Sequence, residues 1–382
     1  MPRIYLDNAA TSWPKPAAVY DAVDTYQRTL GAAAGRGVYR SAQNSERIVS
    51  QCRKRVADFV GAKSPEQIVF TLNGTDSLNL AMHGLLKPGD HVVTSVCEHN
   101  SILRPLRFLK ESFGVTYDFV DCDSNGFINP ADIRRAIKPN TRLIALTHAS
   151  NVTGAIQPLA EVGALAADRN LLFLVDAAQS LGHFPIDVSE LGCHLLAAPG
   201  HKGLLGPLGT GILYLAKGIE SELVPIRQGG TGTRSDDEHQ PETMPDRYES
   251  GNLNVAGIAG LNAGLEWLNE LGLAKIASHE GERTQQLLSG LAETPAVTVY
   301  GPPTCESRLG VVSFNVAGFD PQEVAAGLDA VAGIEVRSGL HCAPRMHTSL
   351  GTSPAGTVRT SVGPFTTPDD INTLVDALRE MV

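Results

Sequence analysis

The chain lacks any apolar run approaching the roughly 20 residues that cross a bilayer as a helix, so no membrane span is expected in its 382 residues. It also lacks an excess of positive charge. Lys and Arg total 31 against 41 Asp and Glu, for a formal net charge of −10. Nucleic acid and anionic membrane surfaces reward clustered Lys and Arg, so neither is expected as the main partner. The start of the chain, Met1-Pro2-Arg3-Ile4-Tyr5-Leu6-Asp7, has no apolar h-region, which makes the cytoplasm the expected compartment. None of the six cysteines stands in a C-x-x-C pair, so no zinc or other metal site and no thioredoxin-like motif is expected. Free thiols are the expectation for Cys52, Cys97, Cys122, Cys193 and Cys305. There is no internal repeat and no low-complexity tract.

What is present is the material of a large folded chain. Hydrophobic residues make up 42% and charged residues 19%, enough for a substantial packed core. From about residue 65 to 215, short apolar runs alternate with helical patterns. The runs are Ile68–Leu72, His91–Ser95, Val115–Val120, Leu143–Thr147 and Leu171–Val175. Alternation of this kind predicts βαβ units and a mostly parallel sheet. A polar, Gly-rich segment begins near Gln228 and includes Arg234 and Ser235. Helical patterns follow over Val255–Leu271 and Ala274–Leu291. Strands are then predicted at Val297–Tyr300, Val311–Asn315, Ile334–Arg337 and Val358–Ser361, with helices at Pro321–Val331 and Pro368–Val382. The predicted organisation is a large α/β domain over 15–254 and a smaller α/β domain made of 1–14 and 255–382.

Ligands of open α/β sheets bind beyond the carboxyl ends of the strands. Thr75, His99, Asn151, Asp176, Gln179, His201 and Lys202 all fall just after predicted strands. Asp176, at the end of an apolar strand, could simply cap a helix. Taken alone that reading is favoured; the functional one is an ion pair to the protonated pyridine nitrogen of pyridoxal phosphate (PLP). Lys202, in Pro199-Gly200-His201-Lys202-Gly203, reads alone as a turn lysine. Set between two apolar stretches, its amine is a candidate for a burial-depressed pKa and Schiff-base chemistry.

These segments resemble a known family. Tyr5-Leu6-Asp7-Asn8-Ala9-Ala10-Thr11, Asn73-Gly74-Thr75, Glu98-His99, Ser150-Asn151-Val152-Thr153-Gly154, Asp176-Ala177-Ala178-Gln179 and Gly200-His201-Lys202 occur in the order seen in class V aminotransferase-fold enzymes. The chain resembles their cysteine desulfurases of the short-loop, selenocysteine lyase-like group, along essentially its whole length. The resemblance implies PLP fold type I, with a seven-stranded-type sheet, and a sulfurtransferase that converts L-cysteine to L-alanine. It further implies that Lys202 holds PLP as a Schiff base, Asp176 pairs with the ring nitrogen, His99 stacks on the ring and Gln179 bonds its phenolic oxygen. Gly74, Thr75 and His201 would hold the phosphate, and a helix opening at Gly74-Thr75 suits an anion. Two positions depart from the pattern. Pro199 stands where a serine or threonine is common, and Asn252 replaces a threonine reached from the neighbouring subunit of a homodimer. Asn252 could still donate to the phosphate.

Cys342 lies in Arg337-Ser338-Gly339-Leu340-His341-Cys342-Ala343, after a predicted strand. A lone cysteine is ordinarily a small buried hydrophobe. Its place in a turn, with Arg337 and His341 close by, suits a nucleophilic thiolate. The same turn resembles the one that carries the persulfide cysteine of these enzymes. Arg359 is expected to clamp the substrate α-carboxylate, Asn151 to contact a substrate or cofactor oxygen, and His341 to lie at the substrate. His99 is expected to act in catalysis beside Lys202 and Cys342. Selenocysteine lyase, cystine or cysteine C–S lyase and other PLP reactions remain alternatives on the same scaffold, as does a non-catalytic scaffold. A sulfur-acceptor protein is the expected macromolecular partner besides a second subunit.

Overall fold

The computed structural model describes residues 3–233 and 236–382. Met1 and Pro2, and Arg234 and Ser235 of the polar segment, lie outside the described residues. The chain enters with a short strand, β1 (Ile4–Tyr5). It then lays down β2 (Ile68–Thr71), β3 (His91–Ser95), β4 (Thr116–Val120), β5 (Thr141–Thr147), β6 (Leu172–Asp176), β7 (Leu195–Pro199) and β8 (Gly211–Leu215). These seven form one sheet in the order β2-β8-β7-β6-β5-β3-β4. The central and far strands pair in parallel. Only β8 runs against its neighbours β2 and β7. The fold is the expected α/β type with a mostly parallel sheet.

The strands read as continuous apolar runs because both faces of the sheet are covered. In β6, Phe173 and Val175 join one core with Ile144, Leu146, Leu196 and Ala198. Leu172 and Leu174 join the other with Leu143, Ala145, Leu195 and Ala197. Successive side chains thus alternate between two cores. Each fully buried large side chain contributes about 1.5–3 kcal/mol.

The C-terminal part adds β9 (Val297–Tyr300), β10 (Val311–Val316), β11 (Ile334–Glu335), β12 (Arg337–Gly339) and β13 (Thr357–Ser361). Four of them make an antiparallel sheet ordered β12-β13-β10-β9. The single strand predicted over Ile334–Arg337 is therefore two. β11 pairs in parallel with β1, while β12 pairs with β13, so the chain changes sheets at Val336. Ile4 and Leu6 pack with Leu287, Phe314, Val358 and Leu374 in the core of this smaller lobe.

The helix Val255–Leu271 packs differently from the predicted division of the chain. Val255, Ile258, Leu261 and Leu265 share a core with the large sheet. Among the described residues, no helix is long and apolar enough to cross a membrane.

Candidate active site

The carboxyl ends of β5, β6 and β7 open onto a cavity of about 660 Å³. Gly74, Thr75, His99, Asn151, Asp176, Gln179, His201 and Lys202 all line it, together with Ser101, Thr147 and Pro199. The sheet brings them together because each follows or ends a strand. Asp176 is the last residue of β6 and is 3% exposed. Its Oδ1 accepts from the Ala178 N–H at 2.9 Å. Burial pushes its carboxyl pKa up, against the opposing pull of that N–H and of Lys202. Lys202 is half-buried, at the wall of the cavity. Burial brings its ammonium down to about 8, while Asp176 pulls it the other way.

One wall is a pair of helix N-termini. Asn73 caps the helix Gly74–Leu85, its side chain accepting from Asp76 N–H. His99 caps the helix Asn100–Phe113, its Nδ1 accepting from Ser101 N–H at 3.0 Å. That bond leaves the ring proton on Nε2. Burial, then the charge of Lys202, lowers the His99 pKa to about 4, so the ring is neutral and flat-faced at physiological pH. Ser101 Oγ lies 2.8 Å from His99 Nδ1 and 2.7 Å from Thr75 Oγ1, tying the two helix starts together. Pro199 explains Gly74 in turn: a Cβ at residue 74 would stand 3.1 Å from the Pro199 Cδ.

The Lys202 turn is held from the N-terminal segment. The His201 carbonyl accepts from Ser12 N–H at 3.1 Å, from Thr11 Oγ1 at 3.2 Å and from Lys15 Nζ at 3.2 Å. Ser12 Oγ donates to the Lys202 carbonyl at 3.0 Å. Burial lowers the Lys15 pKa to about 8. Gln179 is also tied here, its amide donating to the Ala9 carbonyl at 3.0 Å. Sequence reasoning passed over Ser12, Lys15 and Ser101. The only signal for Ser101 was its place two residues after His99, where a capped helix needs a partner.

Cys342 does not line this cavity. It lines an adjoining groove of about 540 Å³ that shares Thr75, His99 and Ser101 with it. Both His341 (φ 47°) and Cys342 (φ 60°) adopt the left-handed region, which is costly for residues other than glycine. Four hydrogen bonds hold that turn. Asn151 Nδ2 donates to the His341 carbonyl at 2.6 Å and Asn100 N–H to the Cys342 carbonyl at 2.7 Å. Ala343 N–H donates to Leu340 O at 2.8 Å, and His341 Nε2 stands 3.1 Å from the Thr357 carbonyl.

His341 sits away from both cavities. It is 2% exposed and turned toward β13. Burial, then Arg359, lowers its pKa to about 2, so it supplies no positive charge to Cys342. The positive neighbour is Arg337, whose Nη2 lies 3.4 Å from the Cys342 Sγ. Arg359 stands on β13, an interior strand, directly opposite Arg337 on β12; like His341 it is buried, at 1% exposed, and it lines neither cavity. Its Nη2 donates to Asp7 Oδ1 at 2.6 Å. Asn252 is exposed and does not line the Lys202 cavity of its own chain; with Thr210 and Tyr248 it lines an adjoining recess that shares Leu72 and Gly209 with that cavity.

These residues fit PLP on structural grounds. The site offers a half-buried amine, a buried carboxylate with an oxygen to spare, a neutral ring face and a helix N-terminus. The buried Nδ1 of His201 has no partner. A lysine amine, a pyridinium partner and a phosphate cradle are the donor set that PLP requires.

The chain belongs to the class V aminotransferase family, whose model, described as Aminotransferase class-V, matches residues 4–374. Within it, the chain is 39% identical to a probable cysteine desulfurase of Methanothermobacter thermautotrophicus, covering 99% of this chain and 94% of that protein. The apo structure of a cysteine desulfurase from Thermococcus onnurineus superposes with a TM-score of 0.94 at 38% identity, covering 100% of this chain and 94% of the other. The cysteine desulfurase CsdA from Escherichia coli, solved as the S-sulfonic acid, gives a TM-score of 0.89 at 30% identity, covering 99% and 94% of the respective chains.

Proposed function

We propose that the protein is a PLP-dependent cysteine desulfurase, converting L-cysteine to L-alanine and leaving the sulfur as a persulfide on Cys342. The observation that carries this reading is the adjacency of two sites. The cavity around Lys202 and the groove around Cys342 share His99, Ser101 and Thr75 as a common wall. Full-length likeness to proteins named cysteine desulfurase supports the same reading.

Bound in the cavity, PLP supplies an electron sink for chemistry at an amino acid's α-carbon. Lys202 would hold it, Asp176 would pair with its ring nitrogen and His99 would cover one ring face. Gln179 would face its phenolic oxygen, and Gly74, Thr75 and His201 would take the phosphate. Arg359 and Asn151 would receive the substrate. An amine with a pKa near 8 has a sizeable neutral fraction at physiological pH, so Lys202 can also carry a proton to or from the α-carbon. The Cys342 thiolate attacks the substrate sulfur. An S–S bond forms as the C–S bond breaks, and the electron pair left on carbon takes up a proton to complete the methyl group of alanine. Arg337 stabilises the negative charge on the attacking sulfur.

The exposed position of Asn252 supports a homodimer in which it serves the other subunit's phosphate site. A sulfur acceptor then takes the persulfide sulfur, and the cytoplasm is the proposed compartment. The test is product analysis of the purified, coloured enzyme with L-cysteine and a reductant. Alanine and sulfide in equal amounts support the reading. Pyruvate in place of alanine would make it a C–S lyase, and a protein that takes up no PLP would make it a scaffold.

A further inference from the structure

Asp7 follows β1 and is fixed by its backbone. It forms a parallel bridge with Ser361 at the end of β13. Ser361 N–H donates to Leu6 O at 2.7 Å, Ala9 N–H donates to Ser361 Oγ at 2.8 Å, and the Asn8 amide donates to Ser361 O at 3.0 Å. The chain is thus tied to β13 on both sides of Asp7. That junction fixes where the Asp7 side chain starts, beside β13.

The carboxylate meets Arg359, whose side chain is 1% exposed. Asp7 Oδ1 takes Nη2 at 2.6 Å, and the Asn151 carbonyl takes Nη1 at 3.2 Å. Two of the three guanidinium nitrogens are held by different segments, which fixes the plane of the group. The third, Nε, is buried and has no acceptor. A buried N–H without an acceptor is a costly arrangement that an incoming acceptor relieves.

We propose that Asp7 is a positioning residue for the α-carboxylate of the amino-acid substrate. It holds Nη2 so that the buried, unpartnered Nε–H of Arg359 stays in register for that carboxylate. The inference rests on the reading of Arg359 as the carboxylate site. The opposite role, in which Asp7 would be a stand-in carboxylate displaced by substrate, predicts tighter binding of L-alanine once Asp7 is neutralised.

The test is an absorbance titration of the holoenzyme with L-alanine and with ethylamine, which is alanine without its carboxylate. Asp7→Asn should raise the dissociation constant of L-alanine by about tenfold or more, the scale of a hydrogen bond to a charged group. It should leave ethylamine binding unchanged. Asp7→Glu, which keeps the charge but moves it by one methylene, should fall between wild type and Asp7→Asn, and it serves alone if Asp7→Asn does not fold. The proposal is overturned if Asp7→Asn binds L-alanine as wild type does or more tightly, or if both ligands weaken equally. Arg359→Ala in the same titration keeps the two claims apart. If it weakens L-alanine while the Asp7 variants do not, only the positioning role fails. If it has no effect, the carboxylate site falls and the positioning role with it.

Discussion

The Arg337 guanidinium reaches the Cys342 sulfur, with Nη2 3.4 Å from Sγ. A guanidinium at that distance stabilises negative charge on sulfur. Arg337→Gln is therefore expected to slow persulfide formation by about tenfold, the scale of one charged hydrogen bond, with the cofactor absorbance unchanged. Single-turnover alanine release checks this. A wild-type rate would remove Arg337 from the chemistry.

In the proposed role Lys202 would bond PLP only as a neutral amine, and burial lowers its pKa to about 8. The rate at which apoenzyme takes up PLP should rise with pH up to about 8 and then level off. A stopped-flow series following the visible band measures it. A rate still climbing tenfold per pH unit above 9 would mean an amine with an ordinary lysine pKa.

A second titration concerns the joint between lobes. His183 Nδ1 lies 2.8 Å from Glu280 Oε2, and a Cβ on Gly203, next to Lys202, would touch the His183 ring. Burial alone would lower the His183 pKa, but the charge and hydrogen bond of Glu280 outweigh it and raise it. The stabilisation is thus fully present below the ordinary histidine pKa and is lost as pH rises through the higher folded value. Denaturant midpoints should fall across that window in the wild type, and His183→Gln should flatten the slope. Equal slopes in the two proteins would show that the pair contributes nothing.

Arg53 and Glu249 form a buried two-bonded pair, at 2.6 and 2.7 Å, and Glu249 also accepts from Phe70 N–H. Removing one partner of such a pair leaves a buried charge uncompensated. Glu249→Gln should cost about 3–5 kcal/mol. Equilibrium unfolding with urea gives the value, and a loss below about 1 kcal/mol, the scale of an exposed pair, would contradict the burial argument.

Much of this was legible in the sequence, for reasons particular residues make plain. Leu171–Val175 announced a central strand because covered sheets need apolar residues on both faces. Asp176 and Lys202 stood out because a charge at the end of such a strand lies where open sheets bind ligands. The pairing of Asp7 with Arg359 could not be seen, since the partners are 352 residues apart. Nor could the orientation of His341. Its left-handed backbone turns the ring into the protein, and nothing in the residue type signals that. The break at Val336 was hidden because Ile334–Arg337 is uniformly strand-like, and only the competing partners β1 and β13 divide it. The helix Val255–Leu271 was recognised as an element, but its docking on the large sheet depends on tertiary contacts.

The central claim is that Cys342 takes the substrate's sulfur beside a cofactor held on Lys202. The direct measurement is a single turnover of holoenzyme with L-cysteine and no reductant, with peptide mass spectrometry of the products. The expected result is one alanine per site and one added sulfur atom on the peptide bearing Cys342, while Cys342→Ala keeps the cofactor absorbance and makes no alanine. A Cys342→Ala enzyme that releases alanine at the wild-type rate, or added sulfur found on another cysteine, would contradict it.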